Sequence, residues 1–292
     1  METTSTITIE LEGCEKTQAI RGITLLDLKK KLRIKEEPLT PVVGALFNSR
    51  IMGLEYKILR NCKLKFISTE SEEGANIYRK SLSILLHSAF INVVKNRATL
   101  KIEHSLNKGY FYSYKNKEPL TRAIVEKIEN HMRELVSRDL PFKKSECEVE
   151  DALEILEKIG AWDRYYLLKY SNFPKTTLYT LGDCINLAQG PLVPSTGYLK
   201  LFSIIYYPPG LILTFPQTVK PGELPSAIEQ KKLFQIYSEQ REWSKILDVD
   251  SAGKLNRLII KGKINDLIWV SEGLHEKKIS QIADIITKNL KK

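Results

Sequence analysis

The sequence predicts an α+β fold that is divided into more than one domain. Stretches with helical spacing of apolar residues and stretches with apolar residues at every second position follow one another in blocks, without a regular β-α-β order. The chain of 292 residues also exceeds the usual length of one domain. Polar residues at 69–74 and prolines between 208 and 225 interrupt the pattern, so we expect three parts, at 1–68, 75–225 and 226–292.

The first part has the pattern of a small mixed sheet crossed by one helix. Apolar residues alternate over 4–11, and Thr24 is placed to cap a short amphipathic helix over 25–32. Further strands are predicted at 42–47 and 62–68. We interpret this part as strand, strand, helix, strand, strand, with the second strand before the helix left without bounds, which is typical of the ubiquitin-like β-grasp arrangement.

The remaining two parts mix helices with strands. For the second part the spacing predicts a helix over 77–94, strands over 99–103 and 109–114, helices over 120–136 and 151–159, and strands around a loop between 176 and 214. For the third part we expect a connector with a helix over 227–238, strands over 257–260 and 267–270, and a helix over 276–290.

The chain is basic, with 45 Lys and Arg against 35 Asp and Glu and a formal net charge of +10. The excess is spread along the chain, and its densest runs lie at 29–35 and 288–292. Such runs fit either a nucleic-acid footprint or an ordinary solvated surface, so RNA binding and a structural role both stay open.

Composition also limits the compartment and the chemistry. No apolar run reaches the roughly 20 residues of a membrane span, and the N-terminus lacks the basic and apolar stretches of a secretory signal, so we expect a cytoplasmic protein without membrane contact. The four cysteines contain no C-x-x-C spacing, which argues against a zinc site or a disulfide framework. The oligomeric state is left open.

Two stretches carry a specific resemblance. Residues 182–197 read GDCINLAQGPLVPSTG, and residues 107–114 read NKGYFYSY, followed by EPLT at 118–121 and DLPF at 139–142. Together they are similar to the editing-type second domain of threonyl-tRNA synthetases, whose loop reads G-D-x-[VI]-D-L-C-R-G-P-H-V-P-S-T-G. The β-grasp before them resembles the TGS domain that precedes that module. The resemblance covers about 1–216 and implies a TGS-like domain followed by an editing-like α+β domain.

The departures from the family pattern affect the chemistry. In the family, deacylation of mischarged tRNA depends on H-x-x-x-H in the first helix and C-x-x-x-H in the loop. The corresponding positions here are Lys80 and Ile84, and Ala188 and Leu192. Because hydrocarbon side chains neither ligate a metal nor move a proton, we expect no catalytic residue, no metal site and no cofactor in this chain.

The altered site is our candidate for a ligand pocket, with Lys80 favouring an anion. Its ligand would be a nucleoside, a nucleotide or an amino acid. The tyrosines of 109–114 fit either core packing or a stacking platform, and the histidines either packed side chains or a compensating catalytic pair. The candidate residues are Lys80, Ile84, His87, His104, Tyr110, Tyr112, Ser113, Asn186, Ala188, Gln189 and Leu192.

A TGS-like domain joined to an altered editing module, without an aminoacylation domain, resembles the N-terminal half of uridine kinase-like nucleoside kinases. That resemblance implies an absent kinase domain that uses ATP and magnesium. Within this chain, Gly253, Lys254 and Leu255 give only half of a phosphate-binding loop, since Asp248 stands at its first glycine position. We therefore expect a non-catalytic accessory region. The alternatives are a tRNA-binding module and a residual deacylase.

Overall fold

The computed structural model describes residues 5–12, 16–94, 99–106, 108–226, 231–246 and 248–290, and some side chains of 231–246 lie outside the description. The strands are β1 Thr6–Leu11, β2 Thr17–Ile20, β3 Val42–Phe47, β4 Arg50–Gly53, β5 Cys62–Ser68, β6 Thr99–Leu106, β7 Gly109–Lys115, β8 Lys143–Glu148, β9 Lys175–Leu181, β10 Cys184–Leu187, β11 Ser203–Tyr207 and β12 Gly210–Thr214. The helices are α1 Leu25–Lys31, α2 Glu72–Val94, α3 Arg122–Ser137, α4 Val149–Lys158, α5 Trp162–Lys169, α6 Lys231–Ile246, α7 Ala252–Ile260 and α8 Ile264–Leu290. The predicted α+β class is confirmed.

The first 68 residues form the predicted β-grasp sheet. Its strand order is β2-β1-β5-β3-β4, in which β1 pairs parallel to β5 and the other neighbours pair antiparallel. Helix α1 begins where expected, because the Thr24 hydroxyl accepts a hydrogen bond from the Asp27 N–H at 3.0 Å. Leu25 and Leu28 on α1 are fully buried with Ile9 of the sheet, so the helix closes the core of this part.

A second sheet, β11-β12-β7-β6, is antiparallel throughout and supports helices α2 and α3. Leu82 and Leu85 of α2, Ile128 of α3 and Tyr112 of β7 are all fully buried in one core. Helix α2 follows β5 closely, and a Cβ on Gly74 would lie 1.9 Å from the Ser68 carbonyl oxygen. Glycine is therefore required at this entry into the helix.

A third sheet, β10-β9-β8, carries the loop that follows β10. The loop is tied to the end of α3, where the Thr196 hydroxyl donates to the Leu135 carbonyl at 2.6 Å and accepts from the Leu140 N–H at 2.8 Å. Phe142 N–H donates to the Pro194 carbonyl at 3.0 Å. Together with the bond from the Gly197 N–H to Asp139 Oδ1 at 2.9 Å, these bonds fix the loop against the end of α3.

Contacts within the chain divide it into two units, which we describe separately. Unit 1 comprises Met1–Ser145 and Thr177–Glu229, and unit 2 comprises Glu146–Thr176 and Gln230–Lys292. In unit 2, α5 packs closely on α7, since a Cβ on Gly253 would lie 2.8 Å from the backbone nitrogen of Leu167. The predicted division at 1–68, 75–225 and 226–292 stays a prediction.

The structure corrects the sequence prediction in the third part. The strands predicted over 257–260 and 267–270 are wrong, because both stretches are helical. A short apolar run fits a strand and a buried helix equally well, and here Ser251 caps α7 by accepting the Lys254 N–H. The last helix is longer than predicted, and α5 and β8 were not predicted. The first residues of the helix predicted over 227–238 lie outside the described residues. Within the described residues this helix is α6, which is described from Lys231 to Ile246.

Among the described helices, none combines the length and the apolar character that a bilayer crossing requires.

Candidate functional site

The loop after β10 lies along α2, so the structure brings together the two motifs that the resemblance compares. Lys80 Nζ donates to the Gln189 carbonyl oxygen at 2.9 Å. Deeper in, the Val193 N–H donates to the Ser81 hydroxyl at 3.0 Å, and Ser81 donates to the Ile77 carbonyl at 2.8 Å. The fully buried Ser81 therefore anchors the loop to the helix.

Tyr179 holds the same loop from the other side. Its hydroxyl donates to the Gly190 carbonyl at 3.1 Å. Gly190 itself has φ +85°, a left-handed backbone conformation that glycine adopts without strain. The loop conformation thus depends on Ser81, Tyr179 and Gly190 in addition to the Lys80 contact.

Hydrocarbon fills the position at which the resemblance would place the reactive groups. Ile84 is 4% exposed and Leu192 is 1% exposed, and both belong to the core beneath the four-stranded sheet. Ala188 packs against the same core, partly buried. The side chains of Ile84, Leu192 and Ala188 contain no group that could form a hydrogen bond to a water molecule held among them.

Lys80 and Gln189 lie at the surface of this region, and both are exposed. Since Lys80 is one helical turn before Ile84 on α2, its ammonium group reaches the loop above the buried hydrocarbon. A Cβ placed on Gly190 would lie 3.4 Å from Lys80 Nζ, which shows how closely the lysine crosses the loop.

Tyr112 belongs to the core and uses its hydroxyl internally. It is fully buried, and its hydroxyl donates to the Ser83 hydroxyl at 2.9 Å, which in turn donates to the Arg79 carbonyl at 3.0 Å. The half-buried His87 ring meets Tyr112 edge to face, with centroids 6.2 Å apart. These residues form a polar chain between α2 and β7.

Ser113 of β7 and His104 of the neighbouring strand β6 lie away from Tyr112, since Ser113 follows Tyr112 in β7 and His104 pairs with Phe111. The buried Ser113 hydroxyl donates to Glu103 Oε1 at 2.5 Å, and the His104 ring lies 5.6 Å from the Phe111 ring. Successive residues of a strand point to opposite faces, so His87 at Tyr112 and His104 at Phe111 are not brought together. Burial lowers the pKa of His104, and the charge of Glu103 partly opposes this, which favours a neutral imidazole.

The two remaining candidate residues are also placed in packed surroundings. The Tyr110 ring meets the Phe215 ring edge to face at 4.8 Å, and Tyr110 is half-buried. Asn186 is 5% exposed within β10. The predicted ligand pocket around Lys80 stays a prediction.

Sequence reasoning missed the groups that position the loop. Ser81, Ser83 and Tyr179 make the hydrogen bonds described above, and none was singled out from the sequence. Ser81 lies between apolar residues on the buried side of α2. A serine in such a place needs a partner, because an unsatisfied buried hydroxyl is costly, and this was the available signal.

No metal cluster marks this region among the described residues. No group of three His, Cys, Asp or Glu side chains there lies close enough together to hold a metal ion. A surface cavity of about 310 Å³ lies instead on the β-grasp part, lined by residues that include Glu36, Thr40 and Phe66. None of the eleven candidate residues lines that cavity.

Comparison with known proteins relates most of the chain to one kind of enzyme. The chain is 28% identical over 202 residues to the threonine–tRNA ligase of Clostridium kluyveri, covering 68% of this chain and 31% of the relative. It is 31% identical over 198 residues to that of Desulforamulus reducens, covering 66% and 30%. For the Thermotoga maritima ligase the identity is 28% over 204 residues, covering 68% and 30%.

The similarity is partial for each relative. The chain spans about a third of the length of the curated ligases it matches, and the matching part is their N-terminal region. No protein family model matches the chain. Nothing in these comparisons supports the nucleoside kinase parent expected from the sequence.

Proposed function

We propose that this chain binds tRNA on an editing-type scaffold and does not hydrolyse an aminoacyl ester. The similarity of about two thirds of the chain to ligases that are named for tRNA is the observation that carries the proposal. The TGS-like sheet and the editing-like sheet follow one another in the order that the sequence resemblance implies.

The charge distribution supports an RNA partner for unit 1. Unit 1 holds 28 Lys and Arg against 20 Asp and Glu, whereas unit 2 holds 17 against 15. At the end of α1, Lys30, Lys31, Arg33 and Lys35 are all exposed. Lysine and arginine bind nucleic acids mainly through the phosphate backbone, with release of counterions. This group of four residues is our candidate phosphate-binding patch.

The side chains at the loop support the absence of hydrolysis. Ester hydrolysis needs a group that activates water, and the positions of interest hold Ile84, Ala188 and Leu192. The hydroxyl of Tyr112 on β7 donates to Ser83. His87 and His104 contact opposite faces of β7 and do not form a catalytic pair.

The binding proposal is tested by fluorescence anisotropy with a labelled tRNA transcript. We expect the affinity to fall steadily as the salt concentration rises from about 50 to about 200 mM. The double variant Lys30→Glu/Arg33→Glu is expected to bind about tenfold or more weakly at low salt, because two attractive charges become repulsive. The matched control Lys158→Glu/Lys263→Glu, with the same charge change in unit 2, should bind like the wild-type chain.

Two results would contradict tRNA binding through unit 1. One is an affinity that is absent or independent of salt. The other is an equal loss of affinity in the patch variant and in the control, since this would indicate only the effect of net charge.

The absence of hydrolysis is tested with threonyl-tRNA and seryl-tRNA charged with labelled amino acids. We expect both esters to decay at the spontaneous rate in the presence of the chain. Decay above that rate, abolished by His87→Ala or His104→Ala, would establish a deacylase and overturn this part of the proposal.

A further inference from the structure

The surface cavity of about 310 Å³ on the β-grasp part lies between the segment 34–40, which follows α1, and the strands β3 and β5. Pockets that bind small molecules usually have volumes of about 300 to 1,000 Å³, so this cavity has room for a molecule of several non-hydrogen atoms. Its lining combines apolar side chains with three carboxylates and one lysine. The chemistry of this lining indicates which class of molecule the cavity would hold.

Part of the cavity wall is apolar. Val42 of β3 is 6% exposed, and Phe66 of β5 and Ile34 are partly buried against the β-grasp core. These side chains offer a surface on which a hydrocarbon chain can be removed from water. An aromatic ring such as that of Phe66 also attracts a cation placed over its face.

One of the three carboxylates, that of Glu36, is already neutralised within the chain. It pairs with Lys29 Nζ at 2.8 Å, and it accepts the Val42 N–H at 3.0 Å. The Lys29 side chain is only 8% exposed, so this ion pair ties the segment after α1 to the sheet. The wall at Glu36 is therefore formed before any ligand arrives, which lowers the cost of binding.

The carboxylate of Glu70 is held only by long hydrogen bonds. The Thr40 hydroxyl donates to its Oε1 and the Ser68 hydroxyl to its Oε2, each at 3.4 Å, whereas O–H···O bonds are usually about 2.5 to 3.0 Å long. Both hydroxyls line the cavity, and Thr40 is buried at 8% exposure. The Glu70 carboxylate thus keeps the capacity to accept a shorter bond from a stronger donor, such as an ammonium group.

The balance of charge in the lining selects a cation. With Glu36 paired, the carboxylates of Glu37 and Glu70 stand against the single ammonium group of Lys35. The cavity is therefore locally negative in a chain of net charge +10, which favours a cationic ligand over an anion. A metal ion does not fit, because nowhere in the described part of the chain do three acidic, His or Cys side chains come close enough to hold one. An organic ammonium needs fewer carboxylates and also uses the apolar wall.

We propose that this cavity binds a small aliphatic amine, with the ammonium group at Glu70 and the hydrocarbon chain against Phe66 and Val42. A free diamine and a lysine side chain of a peptide both supply this chemistry. The amine site shares only Lys35 with the candidate phosphate-binding patch. It is tested without RNA, so a failure of the amine proposal and a failure of the tRNA proposal are distinguishable.

The first test is an NMR titration of the full chain that follows the signals of the added small molecule. The probes are 1,4-diaminobutane, N-acetyl-lysine amide and, as an anion of similar size, butyrate. We expect saturable binding of at least one of the two amines below about 10 mM and no saturable binding of butyrate. The amine that binds more tightly identifies the source, a free diamine or a peptide. Saturable binding of neither amine, or tighter binding of butyrate, overturns the proposal.

The second test places the amine in the cavity through single substitutions. Glu70→Gln should weaken amine binding at least about tenfold, because the ammonium group loses a charged acceptor. The matched control Glu10→Gln removes the same charge from an exposed position of β1 outside the cavity, and it should bind like the wild-type chain. Lys35→Gln removes a repulsive charge and should strengthen binding by about two- to fivefold.

Far-UV circular dichroism of the same samples checks that the variants fold. The increase in affinity expected for Lys35→Gln cannot come from a loss of structure, so it keeps the test decisive if Glu70→Gln is destabilised. Equal affinities of Glu70→Gln and Glu10→Gln overturn the proposal, because the amine then binds elsewhere. Weaker binding by Lys35→Gln also overturns it, since the lysine would then attract the ligand.

Discussion

Placing a histidine at Ile84 tests whether the candidate site around this residue is filled or open. The resemblance assigns this position to an imidazole, so the sequence alone suggests that Ile84→His would be tolerated. The structure predicts the opposite, because Ile84 is 4% exposed within the unit 1 core. The same argument applies to Leu192→His, at 1% exposure.

The expected loss of stability follows from two contributions. Removing a buried isoleucine gives up about 1.5 to 3 kcal/mol of apolar burial. Burying an imidazole without a designed partner costs about 1 to 3 kcal/mol more. We therefore expect each single substitution to lower the free energy of unfolding by about 3 to 5 kcal/mol. Ile84→Val, which removes only one methylene, should lower it by about 1 kcal/mol.

The pH dependence of stability provides a second, independent test of whether the introduced imidazole is buried. An imidazole in this core would have a pKa below that of the unfolded chain, because burial disfavours the charged form. The unfolded state then binds more protons, so the stability of Ile84→His should fall further as the pH drops through about 6.5. Ile84→Val should show no such additional pH dependence relative to the wild type.

The assay is urea unfolding followed by far-UV circular dichroism, together with peptide-resolved hydrogen exchange. The three tryptophans, Trp162, Trp243 and Trp269, all lie in unit 2, so fluorescence reports on that unit. Peptides of α2 and of the loop should lose protection in Ile84→His. A loss of less than about 1 kcal/mol would refute the reasoning, since the side chain would then face water in an open cleft.

Three further predictions concern single groups. Ser81→Ala should lower the free energy of unfolding by about 1 to 3 kcal/mol, because the buried Val193 N–H loses its acceptor, and hydrogen exchange at the loop should accelerate; normal protection there would contradict the anchoring role. Gly74→Ala should lower the free energy of unfolding by at least about 2 kcal/mol, because its Cβ would overlap the Ser68 carbonyl. Gly273→Ala is the control, since its Cβ would have nothing within 4 Å, and it should raise helix stability by up to about 1 kcal/mol. Equal urea midpoints for the two variants would show that the backbone at Gly74 relaxes. The folded pKa of His104 lies below its ordinary 6.5, so the unfolded chain binds the proton more readily, and His104 should lower the free energy of unfolding as the pH falls below 6.5. The variant His104→Gln should therefore reduce the change in urea midpoint between pH 8 and pH 5.5. An unchanged pH dependence of the midpoint would exclude this role of His104.

The strongly periodic elements are the ones that the sequence predicted well. Helix α1 begins after Thr24 and the cap hydrogen bond is present, since a threonine before an amphipathic run has a direct physical role. Helix α2 is present over the predicted stretch up to Val94, the last described residue before 99, because its apolar residues recur at helical spacing. The strand at Gly109–Lys115 was also expected, because aromatic residues favour a pleated surface.

The failures come from short apolar runs and from long-range contacts. Residues 257–260 are apolar enough for a strand, and only the capping bond of Ser251 distinguishes the helical outcome. At the site, the sequence located the loop and the helix through a resemblance. It did not show that Ser81 holds them together or that Ile84 and Leu192 are buried, because both facts depend on residues about 110 positions apart.

Apart from Lys80, which donates to the Gln189 carbonyl, the side chains that hold the loop do not stand at the positions that the resemblance assigns to reactive groups. Ser81, Tyr179 and Thr196 satisfy the loop backbone through neutral hydrogen bonds. None of these bonds involves Ile84 or Leu192, so replacing reactive polar groups by hydrocarbon removes a desolvation cost and leaves the loop held. A loop held in this way can keep its shape whichever side chains occupy positions 84 and 192, and surface shape and charge are what the proposed tRNA binding requires.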